Sequence, residues 1–487
     1  MTGALAAAGR VRGAEPPGRA RRAWALVRRH RVAAVLLVLA VALRVLAMLA
    51  RRPGEVYWYD SYEYLRFALD PKPAQELHPG GYGMLLWLLR PFHSIALIVA
   101  LQHLMGLAAG LLGYATLRRR GVAGWLAAVA MVPAWFDVEL LHLEHAVLSD
   151  TPFMLLVTAA VCALLWSPRV SVRAAALAGL LLALSALVRT TALPLLGLVL
   201  VWLLLKRAGR RQLVALVAVA AVPVVPYAFW YHAEYGQYKL AGGDGSALWA
   251  RTRTFADCAK IKPPPAEARL CPDPRITADA ASEYFWIGEI TRPPGRAAND
   301  ALARSFALRA IRAQPLDYLH DVLADLSLTF AYPAKAHPKR LPPVYYFTDD
   351  VEPLSNEPTA HETMRAYDPS VRDTRPVGPW SGLLVAYGLH LPGPALGAVL
   401  LLGAYGVVRR GRGPGARLAV LLPWGMAVAL LVLPVVVLDF DHRYVMPVLP
   451  VAGMAAALAF ARRPLAAGDG RPVEPPGPSG ALPELQD

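Results

Sequence analysis

Two acids stand in short motifs suited to proton transfer: Asp60 in WYDSYEYL and Asp150 in LSDTPF. A carboxylate facing a cavity can take the proton of an attacking hydroxyl, which makes Asp60 the candidate general base. Tyr64 follows four residues later, on the same helical face, where it can orient that acid or a substrate. Each acid also has a structural reading. Asp60 would be the N-cap of a helix starting near Ser61, and Asp150 that of a helix starting Thr151-Pro152. His78 opens HPGGY, a Pro-Gly turn whose histidine would serve as ligand or proton carrier. Arg189 in LVRTTALPLL and Arg443 in DFDHRYVMPVLP have the planar fork that clamps phosphate bidentately, and Tyr444 adjoins the second. Snorkelling to lipid headgroups is the alternative for both arginines. Carboxylates from two loops, Asp60 and Asp150, would also suit Mg²⁺ or Mn²⁺, which prefer oxygen ligands.

The elements that must position these residues are membrane spans. The 487 residues are 56% hydrophobic and 17% charged, with a mean hydropathy of +0.38, values that soluble domains rarely reach. The net charge of +15 does not point to nucleic acid: the arginines cluster at the ends of apolar runs, as topology signals do, and no nucleic-acid motif occurs. A basic N-terminus precedes VAAVLLVLAVALRVLAMLA, which is too long for a signal-peptide core and reads as an uncleaved first span. Further apolar runs lie at 94–117, 122–138, 151–166, 174–188, 191–205, 212–231, 383–408, 417–438 and 444–461. LRRRG, SPRVSVR, KRAGRR, VVRRGRGPGAR and FARR then all fall on one side, the cytoplasm, with Arg51–Pro53 the main exception.

The expectation is an all-α polytopic membrane protein of about ten transmembrane helices. It divides into a basic cytoplasmic N-terminus (1–31), a seven-span catalytic module (32–231) with an outer loop at 51–93, an extracytoplasmic insertion (232–380), a three-span module (381–463) and a disordered cytoplasmic tail (464–487). Both termini are expected in the cytoplasm, and the active site outside. The first outer loop should hold an interfacial helix at SYEYLRFAL and, at GYGMLLWLLRPF, a segment too short to span that is re-entrant or interfacial. In the insertion, Cys258 and Cys271 are expected to form a disulfide worth about 3 kcal/mol in an oxidising compartment, two free thiols being the alternative. PLDYLHDVLADLSLTF reads as an amphipathic surface helix, and 335–379 as a Pro-rich irregular loop. Cys162 reads as packing within a span.

On this topology Asp60, Glu63, His78, Glu139, His142, Glu144, His145, Asp150, Asp441, His442 and Arg443 gather at the outer surface, where charges beside hydrocarbon mark function by default. Arg44, near the outer end of the first span, reads as snorkelling.

An Asp after the first span followed by SYEYLRFA, then HPGGY, then SDTPF at Ser149–Phe153 and HRYVMPVLP at His442–Pro450, resembles the C-type membrane glycosyltransferases. This superfamily includes protein O-mannosyltransferases, the aminoarabinose transferase of lipid A and actinobacterial arabinosyl- and mannosyltransferases. The resemblance implies transfer of a sugar from a polyprenyl-phosphate carrier to a glycan, protein or lipid acceptor outside the membrane. Asp60 would be the base, Asp150 would assist through a metal or by positioning, and Arg189 or Arg443 would bind the donor phosphate. Tyr64, His78 and Tyr444 would join the substrate-binding set. Some relatives carry adjacent acids in the first loop, whereas Ser61 follows Asp60 here, and HPGGY replaces the more frequent His-Pro-Pro; both departures leave metal dependence open. Two rival readings are a transporter or lipid-linked-sugar flippase, and a non-catalytic lipid-binding protein on the same scaffold. A transporter would place its ionisable residues at mid-membrane on repeated elements, a pattern not seen here.

Overall fold

The computed structural model describes residues 30–73, 77–287, 289–291, 295–409 and 414–461. The tail at 464–487 and all but the end of the N-terminal segment lie outside the described residues. The chain is an all-α membrane protein. Among the described residues its only strands are Arg51–Arg52 and Arg375–Pro376, paired antiparallel. Four helices are long and apolar enough to cross a membrane: Arg31–Ala50, Ile95–Arg119, Arg210–Tyr235 and Gly415–Val437. Shorter apolar helices cover Asp150–Leu165, Val172–Val188, Thr190–Leu205 and Gly393–Val408. Runs of Leu, Val and Ala become helices in such a setting because only a helix satisfies its backbone within one segment.

Small residues set how closely these helices approach. A Cβ at Gly179 would collide with the Leu216 carbonyl, so helices Val172–Val188 and Arg210–Tyr235 pack backbone to backbone. The outer face of the latter carries exposed Val214, Val217, Val222, Val225 and Phe229, as a lipid-facing surface requires.

Three of the expected apolar runs are interrupted. The 122–138 run folds as two short helices, Gly124–Val129 and Val132–Phe136. Pro133 begins the second, and Gly453 packs on the Ala130 carbonyl at the break, so the irregular backbone is buried in protein. The 383–408 run divides at Pro392 into Trp380–Val385 and Gly393–Val408. The last run opens with a 3₁₀ turn, His442–Val445, before Val448–Leu458.

The basic turns share one end of the bundle. Arg120 donates to the carbonyls of Leu165 and Ser167 (2.6 and 3.1 Å), and Lys206 to that of Pro168 (2.9 Å). His30 meets Tyr114 at 2.6 Å near the same end.

The 232–380 segment has its own small core around Trp249, Leu270, Phe285 and Phe306, and Cys258 is bonded to Cys271. Helix Pro315–Leu328 exposes Leu316, Leu319 and Leu323 and is tied to the bundle by Tyr318, which donates to the Val436 carbonyl at 2.7 Å. The 335–379 stretch is not wholly irregular, because it contains helix Pro358–Tyr367. Glu357 caps it by accepting from the Ala360 N–H at 2.6 Å, Pro358 occupies the first turn, and Tyr367 donates to the Leu86 carbonyl at 2.9 Å.

Candidate active site

Asp60 lies in the first turn of helix Trp58–Leu69, whose N-cap is Tyr57. It is therefore not the cap considered from sequence. The start of the helix is fixed instead by Ser61, whose hydroxyl accepts from the Tyr57 N–H (2.7 Å) and donates to the Val147 carbonyl (2.8 Å). Glu55 N–H donates to His145 O, and Val147 N–H to Glu55 O, each at 2.9 Å. These bonds lay the segment before Asp60 along the segment before Asp150. Asp150 is the first residue of helix Asp150–Leu165, and Ser149 precedes it as N-cap, so Asp150 is not the cap either. Its carboxylate is freed to face sideways.

Arg443 joins the two acids. Its Nη1 donates to Asp60 Oδ2 at 3.0 Å and its Nη2 to Asp150 Oδ2 at 3.3 Å. Its guanidinium lies 4.6 Å over the Tyr57 ring. Arg189 approaches from the turn after Val188, with Nη1 2.9 Å from Asp150 Oδ1 and its guanidinium 5.5 Å over the Tyr444 ring. The sequence-selected Asp60, Asp150, Arg189, Arg443 and Tyr444 thus converge. His78 joins them: Nδ1 is 2.6 Å from Glu63 Oε2 and Nε2 is 3.8 Å from Asp60 Oδ2. The HPGGY turn is held by the Gly80 N–H, which donates to the Tyr227 hydroxyl at 2.8 Å.

Electrostatics favours the charged forms of Asp60 and His78. Burial alone would push the Asp60 carboxyl up, but His78, Arg443 and Arg189 more than offset it and hold the group below its ordinary range. For His78, burial works against the cation, while Asp60 and Glu63 outweigh it and raise the imidazole above its usual value. Burial pushes the Tyr57 phenol up to about 12, against the pull of Arg443.

Some sequence assignments change. Tyr64 is 2% exposed and spends its hydroxyl on Ser149 (2.9 Å), so it braces the N-cap beside Asp150 and touches neither cavity described below. Arg44 does not snorkel. It is buried against Glu144 in a two-pronged ion pair (3.0 and 2.9 Å), because Glu144 lies inside the bundle and not at its surface. His145 is likewise fully buried, and neither residue belongs to the Asp60 group.

The donor set does not fit a metal held by Asp60 and Asp150. Both carboxylates already face guanidinium groups, and among the described residues no cluster of three or more His, Cys, Asp or Glu is arranged to hold an ion.

Two cavities flank the group. One, of about 130 Å³, is lined by His78, Arg189, Thr190 and Tyr444 on one side and by Leu430, Pro434 and Val437, at the end of a spanning helix, on the other. The second, of about 650 Å³, has Asp60 in its lining and is walled by Tyr59 and by Glu283, Trp286, Arg296 and Arg340 of the 232–380 segment. Those wall residues escaped the sequence reading because no motif surrounds them. Tyr57 and Tyr59 carried a signal, the aromatic run VYWYD.

No family model and no curated protein matches the chain. Among solved structures it is similar to a Saccharomyces cerevisiae protein O-mannosyltransferase Pmt1-Pmt2 complex bound to the sugar donor, with 16% identity over 52% of this chain and 38% of that one, at a TM-score of 0.34. It is also similar to the oligosaccharyltransferase AglB of Archaeoglobus fulgidus in complex with an inhibitory peptide and a dolichol-phosphate (14% identity, 91% and 50% of the chains, TM-score 0.43). A third is ArnT of Cupriavidus metallidurans bound to undecaprenyl phosphate (14%, 90% and 77%, TM-score 0.30). The chain thus spans 38% of the first and half of the second. At such scores the likeness is one of general helix course, and the site geometry alone bears the functional reading.

Proposed function

We propose that the protein is a membrane glycosyltransferase that moves a hexosyl or pentosyl group from a polyprenyl-phosphate carrier to an acceptor, with Asp60 as general base. One observation carries this reading. Asp60 lines one cavity and Arg189 lines the other, and Arg443 and Asp150 link the two side chains between them. A phosphate entering the smaller cavity meets Arg189, while its lipid tail continues past Leu430, Pro434 and Val437. An acceptor hydroxyl in the larger cavity meets Asp60.

The reaction follows from that placement. The acceptor oxygen attacks the anomeric carbon, and its proton passes to the Asp60 carboxylate. The carbon–oxygen bond to the phosphate breaks, its electron pair goes to the phosphate oxygen, and the two arginines stabilise the charge that develops. Asp150, between the arginines, fixes where their forks point. A ten-span topology with the basic turns and both termini in the cytoplasm would set the site on the outer face. The gathering of the basic turns at one end of the bundle supports it.

The test uses purified protein in liposomes with a panel of polyprenyl-phosphate sugars and a cell-envelope extract, wild type beside Asp60→Asn. Transfer by the wild type and its loss in the near-isosteric variant is the expected result. Equal rates in both would remove Asp60 from the mechanism, and no turnover of any donor would favour a transporter.

A further inference from the structure

The larger cavity has features the transfer chemistry does not require, and they bear on which acceptor it takes. Trp286 and Tyr59 stand at its mouth, 42% and 46% exposed, with ring centroids 5.6 Å apart and planes at 63°. Exposed aromatic rings of this size carry a large desolvation gain for whatever covers them. Trp286 is held in place: the Arg296 guanidinium lies 4.4 Å over its ring and also 4.4 Å over that of Phe285. Phe285 in turn is buried in the small core of the 232–380 segment. Beside the rings, Arg340 Nε donates to Glu283 Oε1 at 2.6 Å, half-exposed on the arginine side, so the cavity wall offers donor and acceptor groups together.

Fixed aromatic planes flanked by carboxylate and guanidinium groups match a pyranose or furanose. Its C–H faces lie on rings, and its hydroxyls both give and take hydrogen bonds. A peptide acceptor would draw on a free strand edge or a groove with spaced side-chain pockets. The only strands among the described residues already pair with each other, away from this cavity. We infer that the 232–380 segment builds a carbohydrate subsite, with Trp286 and Tyr59 as its stacking platform, and that the acceptor is a glycan whose terminal hydroxyl is delivered to Asp60. This rests on the glycosyltransferase reading for the delivery step, though not for the binding step.

The experiment therefore has a binding arm and a transfer arm. In the first, saturation-transfer NMR on the full chain in detergent follows a manno-oligosaccharide, an arabino-oligosaccharide and a threonine-rich peptide. At least one oligosaccharide should bind, Trp286→Ala should weaken it about tenfold, the equivalent of one stacked ring, and Trp286→Phe should restore most of the loss. In the second, the same variants are assayed with a polyprenyl-phosphate sugar that the wild type turns over. Trp286→Ala should raise KM for the oligosaccharide, and Trp286→Phe should return it most of the way to the wild-type value. Sugar binding that depends on Trp286 without any donor turnover would uphold the subsite and sink the glycosyltransferase reading. Binding of the peptide in preference to both sugars, or sugar binding indifferent to Trp286→Ala with Trp286→Phe folded normally, would overturn the subsite.

Discussion

Two of the buried arginine–carboxylate clusters differ in a way that is instructive. In the first, Arg44 meets Glu144 through two nitrogens, and His103 Nδ1 lies 2.9 Å from the same carboxylate. His103 Nε2 continues to His145 Nδ1 at 3.0 Å, and His145 Nε2 to the Arg51 carbonyl at 3.0 Å. None of these side-chain atoms is left without a partner. In the second, Arg443 bridges Asp60 and Asp150, yet Arg443 Nε, Asp150 Oδ1 and Glu63 Oε1 are buried without a hydrogen bond, even though Asp150 Oδ1 is only 2.9 Å from Arg189. A closed network spends all its polarity on the fold. An open one leaves part of its polarity unspent on the fold.

Substitutions in the two clusters should therefore fail in opposite ways. Asp60→Asn should cost about 10²–10⁴ in transfer rate, the span of general-base effects, with only a small drop in melting temperature in detergent. Glu144→Gln should do the reverse. Breaking one partner of a buried ion pair costs about 3–5 kcal/mol, seen as a large drop in melting temperature, while transfer per folded molecule stays near wild type. Comparable transfer losses in both, at equal stability, would erase the distinction drawn here.

Gly106→Ala probes the closed cluster more gently. A Cβ there would run into the Glu144 carboxylate, and such overpacking costs about 1–3 kcal/mol. The corresponding measurement is a denaturation midpoint, compared with an alanine at Gly197, where the same Cβ would meet nothing within 4 Å.

The smallest effect concerns pH. His78 has a raised value, so the stability its cation contributes is complete below the ordinary imidazole value of 6.5 and is lost as pH rises through the folded one. Asp60, being depressed, works in the opposite sense: its contribution is present above the ordinary carboxyl value of 3.8 and disappears only in acid. Melting temperature should thus decline as pH rises above 6.5, and His78→Gln should flatten that limb without touching the acid one. An alkaline limb that persists in the variant would assign it elsewhere.

How much of this was legible in the sequence varies with distance along the chain. Asp60, Asp150, Arg189 and Arg443 each adjoin a helix end, and helix ends on one side of a bundle are brought together by topology alone. The role of Arg44 is not legible because its partner Glu144 is 100 residues away, in helix Val138–His145, which folds into the bundle and not at its surface. Helix Pro358–Tyr367 was hidden by prolines, although Glu357-Pro358 is a capping pair that a position-by-position reading would have found. Trp286 and Arg340 could not be found by motif at all. They reach the site only because the segment folds on its own core and leans over Asp60.

The cavity lined by Leu430, Pro434 and Val437 has a kinetic corollary under the proposed reading. A reactant arriving there from the bilayer is counted per lipid molecule and not per litre. Adding inert phospholipid to a fixed vesicle suspension would then starve one side of Asp60 while the bulk concentration of every solute stayed the same. The acceptor side would obey ordinary solution dilution, so the two reactants of a single turnover would answer to two different units of concentration.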